Sequence, residues 1–232
     1  MIYVSSDWHG CPPSTIQALL KQANFDENKD FLFVLGDVID RGEHSVELLK
    51  FLMNSPSAEL LLGNHEAFML ANAWLFDEVT DESIANLDLK KLSLLNNWKA
   101  NGGNFTIEAL YRETSETRTD ILDYIRDCPL YDSVSVGDRD FLLVHGGLEN
   151  YSPNKKIRDY TQDELLWCRP TLNTRFSKDF TTIIGHTPVH FYGSHYKGKI
   201  LKTSTWINID TGAADGLNPC LLRLDDMQEF YL

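Results

Sequence analysis

Five short polar clusters each stand directly after an apolar run. Asp7-Trp8-His9-Gly10 follows Ile2-Tyr3-Val4, and Gly36-Asp37-Val38-Ile39-Asp40-Arg41-Gly42 follows Phe31 to Leu35. Gly63-Asn64-His65-Glu66 follows Glu59 to Leu62, His145-Gly146-Gly147 follows Phe141 to Val144, and Gly185-His186-Thr187-Pro188 follows Thr181 to Ile184. Together they supply Asp7, His9, Asp37, Asn64, His145 and His186. These are oxygen and imidazole donors with no thiolate, a set suited to Mn, Fe or Zn. The set is too large for one tetrahedral site and suits two metals that share a bridging carboxylate. Each cluster alone also has a plainer reading. Asp37 and Asp40 could open a turn, with Arg41 paired to either. Asn64 could cap the next helix, with Glu66 in its first turn. His145 and His186 could be satisfied loop histidines. Four of the seven histidines fall in these clusters, in order after strands, and that joint occurrence points to a metal site. His44, His190 and His195 read as surface or loop residues.

The elements that position these residues follow from the apolar pattern. Ile2 to Val4, Phe31 to Leu35 and Glu59 to Leu62 read as strands. Ile16, Leu19 and Leu20, then Val46, Leu49, Leu52 and Met53, repeat at helical spacing. Strand, helix, strand, helix, strand implies βαβ units and a mostly parallel sheet. In such sheets ligands sit beyond the carboxyl ends of the strands, where all five clusters would converge. From about Ala67 to Cys128 the chain is polar, helix-favouring and short of strand signals. An apolar cluster of Leu87, Leu89, Leu92, Leu94 and Leu95 is broken by Asn101-Gly102-Gly103-Asn104. This stretch reads as a helical insertion or cap inside a single domain spanning residues 1–232. Trp74 and Trp98 could line a substrate groove there or pack in the core. Strands resume at Tyr131 to Val136, and Ile207 to Ile209, Leu221 to Leu224 and Glu229 to Tyr231 complete the second half.

The 232 residues are 43% hydrophobic, which excludes a largely disordered chain. With 21 Lys+Arg against 34 Asp+Glu, the net charge of −13 argues against binding a nucleic-acid backbone. No apolar run approaches the roughly 18 residues of a membrane span, and the N-terminus lacks a secretory pattern. Cys11, Cys128, Cys168 and Cys220 are scattered, as expected for reduced thiols in a cytoplasmic protein.

The five motifs, spanning Asp7 to Pro188, resemble those of the calcineurin-like metallophosphoesterase superfamily, and specifically its phosphoprotein phosphatase branch. Ser6 stands where that branch usually has Gly, at a position that is not a ligand. The short chain resembles bacterial and phage members. The resemblance implies a four-layer αββα sandwich with two divalent metals at one edge, manganese first, with iron or zinc also suited. By motif, Asp7 and His9 bind one metal, Asp37 bridges, and Asn64, His145 and His186 bind the second. Pro188 stands where diesterase branches often carry a further histidine, and Asp40-Arg41-Gly42 also favours the phosphatase branch.

The same resemblance implies direct attack on phosphorus by a hydroxide bridging the metals. His65 is the implied general acid, with Asp40 holding its ring, and Arg41 grips a phosphate oxygen. Arg169, in Trp167-Cys168-Arg169, is the expected second arginine, with Arg139, Arg158 and Arg175 as rivals. The expected activity is hydrolysis of phosphoserine, phosphothreonine or phosphotyrosine in proteins, or of small phosphorylated substrates. The nearest alternative is a bis(5′-nucleosyl)-tetraphosphatase.

Overall fold

The computed structural model describes residues 1–78, 80–81 and 88–232. Two mixed five-stranded sheets carry the fold. The first has the order β10-β9-β1-β2-β3, from β1 (Ile2–Ser5), β2 (Phe31–Val34), β3 (Ala58–Leu60), β9 (Leu221–Arg223) and β10 (Gln228–Phe230). The second has the order β4-β5-β6-β8-β7, from β4 (Tyr131–Val136), β5 (Arg139–Val144), β6 (Thr181–Ile184), β7 (Leu201–Lys202) and β8 (Trp206–Asn208). The short β7 has no signal in the sequence pattern.

Alternation along each strand builds the layers, because successive side chains point to opposite faces. Val4, Phe33, Leu222, Phe141, Leu143, Ile183 and Ile207 point between the sheets and form one core. Their neighbours Tyr3, Leu32, Val34 and Leu60 point outward, against Ile16 and Leu19 of α1 (Pro13–Gln22) and Val46, Leu49 and Leu52 of α2 (Ser45–Met53). On the far side Leu142, Val144, Ile184 and Trp206 pack against Leu148, Tyr160 and Leu165. The order is therefore helices, sheet, sheet, outer layer, which is the αββα arrangement expected. The outer layer over the second sheet is thin, made of the short α7 (Gln162–Leu166), 3₁₀ turns and loops.

The sheets depart from a mostly parallel expectation. β1, β2 and β3 are parallel, as are β5, β6 and β8, but β4, β7, β9 and β10 pair antiparallel at the edges. The physical reason is connection length. β4–β5 and β9–β10 are joined by tight turns, which only antiparallel neighbours can use, whereas the parallel strands need long crossovers.

The described part of the stretch 67–128 contains helices and no strand. α3 (Asn64–Ala71) leads into it, followed by α4 (Leu89–Ala100), α5 (Asn104–Tyr111) and α6 (Ser115–Asp127). Asp88 and Thr114 cap α4 and α6 by accepting from the backbone of Lys91 and Thr117. The expected leucine cluster does not form as a unit. Leu89 and Leu92 are exposed, Leu95 packs against the core, and Leu87 lies outside the described residues. Trp98 is fully buried, which resolves its reading in favour of the core. Its helix buries no other residue fully, so this indole anchors α4.

Candidate metal centre and active site

Five of the central strands, β1, β2, β3, β5 and β6, end at a common edge, and the loops that follow knit together there. The backbone N–H groups of Asp7, His9 and Gly10 donate to Gly36, Asp37 and Val38, so the β1 and β2 loops run side by side. Gly185 donates to the carbonyl of His145, which joins the β5 and β6 loops. Six residues in these loops, Asp7, His9, Asp37, Asp40, Arg41 and His186, have left-handed backbones, against three other non-glycine residues so described. Each such residue costs on the order of 1–3 kcal/mol, and such strain concentrates where side chains are aimed for function.

Two clusters of ligand atoms result. One holds His9, Asp37 and His65, the other Asp37, His145 and His186, and within each the donor atoms lie within 4.8 Å of one another. Asp37 belongs to both. Its Oδ2 lies 3.8 Å from His9 Nε2 and 3.4 Å from His145 Nε2, and its Oδ1 accepts from the N–H of His65 at 3.0 Å. His9 and His145 each turn Nδ1 to a backbone carbonyl, of Ile39 at 3.1 Å and Leu35 at 2.6 Å, which fixes the rings with Nε2 inward. Asn64 does not cap its helix through its side-chain oxygen. Its Oδ1 lies 2.9 Å from His145 Nε2. Asp7 accepts from the N–H of His186 and from the Ser6 hydroxyl, and its Oδ1 lies 3.9 Å from His9 Nε2.

The electrostatics suit cations. Burial depresses His9 to about 3 and His186 to about 2, so both are neutral imidazoles with a lone pair to give. Burial opposes charge on Asp37 as well, yet His145, His65 and His9 hold it well below the carboxylate range. Burial likewise works against a charged His145, but Asp37 and Asp7 outweigh it and push the ring up to about 10. Asp7 is pushed up to about 6 by burial and by the charge of Asp37. The buried Nε2 of His186 has no hydrogen-bond partner, which is costly for a polar atom unless something else completes it. Nitrogen and oxygen donors, two clusters sharing one carboxylate and an orphaned imidazole nitrogen together fit a pair of divalent cations.

Around this centre stand the remaining expected residues. His65 Nδ1 lies 2.7 Å from Asp40 Oδ2, with both side chains buried. Burial works against a charge on His65, but Asp37 and the Asp40 hydrogen bond raise its pKa. Arg41 reaches in from the surface, with Nη1 3.1 Å from His9 Nε2 and Nη2 3.1 Å from His65 Nε2. Arg169 donates to the His186 carbonyl and, at 2.9 Å, to the Thr187 hydroxyl. Of its rivals, Arg139 donates to Leu224 and Asp225, and Arg175 to Leu172 and Thr174, away from the centre. The half-exposed Trp167 meets His186 and Phe68 edge to face, forming an apolar wall beside Arg169.

The profile of the calcineurin-like phosphoesterase family matches residues 1–208. The chain is a calcineurin-like phosphoesterase. Membership implies the chemistry of that family, metal-dependent hydrolysis of phosphate esters. It is 31% identical, over 147 residues, to the symmetrical bis(5′-nucleosyl)-tetraphosphatase of Actinobacillus pleuropneumoniae, covering 63% of this chain and 44% of that protein. The chain thus aligns with less than half the length of that relative. It is 27% identical to serine/threonine-protein phosphatase 2 of Salmonella typhimurium, over 91% of this chain and 87% of that protein. Among solved structures, one described provisionally as a diadenosine tetraphosphatase shares the fold across 100% of this chain and 92% of its own (TM-score 0.66, 17% identity). A serine/threonine phosphatase from Saccharomyces cerevisiae does so across 90% and 66% (TM-score 0.58, 17% identity).

Four residues of the phosphoesterase site were not singled out from sequence for the parts they play. Glu66 is more than a first-turn acid. It accepts from the backbone N–H groups of Asp37, Val38 and Gly63 and so ties the β2 loop to α3, while burial and Asp37 push it up to about 7. Asp210, just past β8, is buried and its pKa is raised well above the ordinary value by burial and by Asp7. The signal for it was present, since Asp210-Thr211-Gly212 is a sixth polar cluster after an apolar run. Trp98 and Thr106 both donate to Asp40.

Proposed function

We propose that this phosphoesterase is a phosphomonoesterase acting on phosphoserine and phosphothreonine in proteins, with phosphotyrosine as a further substrate. The observation that carries the reading is the buried His65–Asp40 pair set beside the shared carboxylate of Asp37, with Arg41 at its mouth. Likeness along nearly the whole length of a serine/threonine phosphatase supports it. Asp7, His9, Asp37, Asn64, His145 and His186 would hold two divalent cations, with manganese the proposed pair. Such cations supply Lewis acidity, neutralising phosphate charge and lowering the pKa of a water nucleophile.

The residues of the chain do the rest. Arg41 and Arg169 grip non-bridging phosphate oxygens through their planar forks. As the phosphorus–oxygen bond to the side chain breaks, its electron pair stays on the leaving oxygen. A serine alkoxide is strongly basic, and the proton it needs comes from His65 Nε2, because Nδ1 is engaged by Asp40. Asp40 keeps that ring oriented and favours its charged form. The helical stretch 67–128 we read as an insertion in one catalytic domain that shapes substrate access. The unpaired Cys11, Cys128, Cys168 and Cys220 support a cytoplasmic setting.

A second reading, symmetrical cleavage of bis(5′-nucleosyl) tetraphosphates, is favoured by the names of several relatives. Assaying a phosphoserine peptide and diadenosine tetraphosphate side by side with manganese separates the two. Turnover of the peptide supports the phosphatase, and turnover of the dinucleotide alone replaces it with the second reading.

A further inference from the structure

Asp40 is unusually well held for a residue whose task is to orient another. Its Oδ2 takes hydrogen bonds from His65 Nδ1 at 2.7 Å and from Trp98 Nε1 at 2.8 Å, and its Oδ1 takes one from the Thr106 hydroxyl at 2.5 Å. Its backbone N–H donates to the hydroxyls of Thr106 and Ser45, both at 3.0 Å. Trp98 and Thr106 come from α4 and α5, whose connecting turn also grips the next residue. The N–H of Arg41 donates to the carbonyl of Gly102 at 3.2 Å, and its Nε to that of Asn101 at 3.4 Å. Asp40 and Arg41 are consecutive residues with left-handed backbones, at φ of 69° and 64°. Neither has the freedom of glycine, so this conformation persists only where surrounding bonds over-determine it.

We propose that Trp98 and Thr106 are positioning residues, which lock the Asp40 carboxylate so that it fixes the ring of His65 toward the leaving group. The α4–α5 corner is then a brace for the active site, placed more than 55 residues along the chain from the Asp40 carboxylate it holds. The geometry leaves Asp40 no rotational freedom, because both oxygens are committed and the backbone is pinned by the same Thr106 hydroxyl. Buried polar networks of this kind rigidify only when every member is satisfied. Removing one donor lets the carboxylate turn, and His65 turns with it. Trp98 also fills space in the core, so its packing and its N–H have to be separated. Trp98→Phe keeps an aromatic ring and removes the donor. Thr106→Val keeps the shape and removes the hydroxyl, and Thr106→Ser keeps the hydroxyl.

The proposal rests on His65 being the proton donor, and the test separates the two ideas. Phosphoserine peptide needs its leaving oxygen protonated, whereas p-nitrophenyl phosphate does not. Thr106→Val and Trp98→Phe should lower kcat on the peptide by roughly 10- to 100-fold. Turnover of p-nitrophenyl phosphate, KM and bound manganese should stay nearly unchanged, and Thr106→Ser should restore the peptide rate. The independent readout is the downfield proton resonance of His65 Nδ1–H in the zinc-loaded protein, assigned by its loss in His65→Asn. It should shift or broaden in Thr106→Val and Trp98→Phe and persist in Thr106→Ser. An unshifted resonance in both donor-less variants, or equal losses on the two substrates, overturns the proposal. If His65→Asn keeps full peptide turnover, the proton-donor reading fails, and the resonance by itself then decides whether the brace positions the ring.

Discussion

At the scale of single residues, the centre is a contest between carboxylates and protons. His145 is pushed up to about 10, so at neutral pH its ring carries a proton that Asp37 and Asp7 attract. A cation that takes Nε2 as a ligand must displace that proton, because only the neutral ring coordinates. The sign follows directly. Below pH 10 the proton competes, so metal affinity should fall as the solution becomes more acidic, by about tenfold per pH unit for one displaced proton. Calorimetric titration with manganese at pH 7, in two buffers of different ionisation enthalpy, should show release of about one proton or more per protein. Identical heats in the two buffers would contradict it. The candidate ligand residues could be singled out in sequence because each stands just past a strand. Glu66 and Trp98 were not, because what they do depends on partners across loops. Glu66 reads as a helix-dipole acid until the β2 loop is seen to fold over it, and Trp98 reads as a core residue until its N–H is seen to face Asp40.

At the scale of elements, the site depends on how closely its loops approach. Gly63 precedes α3, and a methyl group there would collide with the side chain and backbone of Asp37 and with the Glu66 carboxylate. Its φ of −99° is one any residue adopts, so the demand is for space alone. Gly63→Ala should therefore displace Asp37, lower the bound metal by roughly 10-fold or more, and abolish turnover on good and poor leaving groups alike. Elemental analysis of the purified variant checks this, and full metal occupancy would show that the loop can yield. The central strands could be read from their apolar runs, and α1 and α2 from their spacing. The antiparallel edges could not, because a three-residue strand such as β9 looks the same in sequence whichever way its neighbour runs. The brace on Asp40 was hidden for a related reason. The junction of α4 and α5 shows its turn in Asn101-Gly102-Gly103, but nothing local says which loop the turn will clasp.

At the scale of the whole molecule, a centre built for phosphate sits in a protein of net charge −13. On the proposed function, attraction is local, from Arg41, Arg169 and the cations that the candidate ligands would hold, because the overall field repels an anion. At physiological ionic strength charges separated by more than about 8 Å are largely screened. The kcat/KM for p-nitrophenyl phosphate should therefore stay nearly flat as sodium chloride rises from about 50 to 200 mM. A steep decline over that range would reveal long-range steering that the composition argues against.

The pairing of β1 has its own consequence at this scale. Tyr3 is aligned with Arg223, and Val4 with Leu222, so one side of the first strand is closed by residues near the far end of the chain. The strand that leads into Asp7 and His9 is thereby held by a segment about 220 residues away in sequence. Asp7 and His9 follow that strand closely, so a substitution that loosens β9 reaches these candidate metal ligands through β1 without touching either of them.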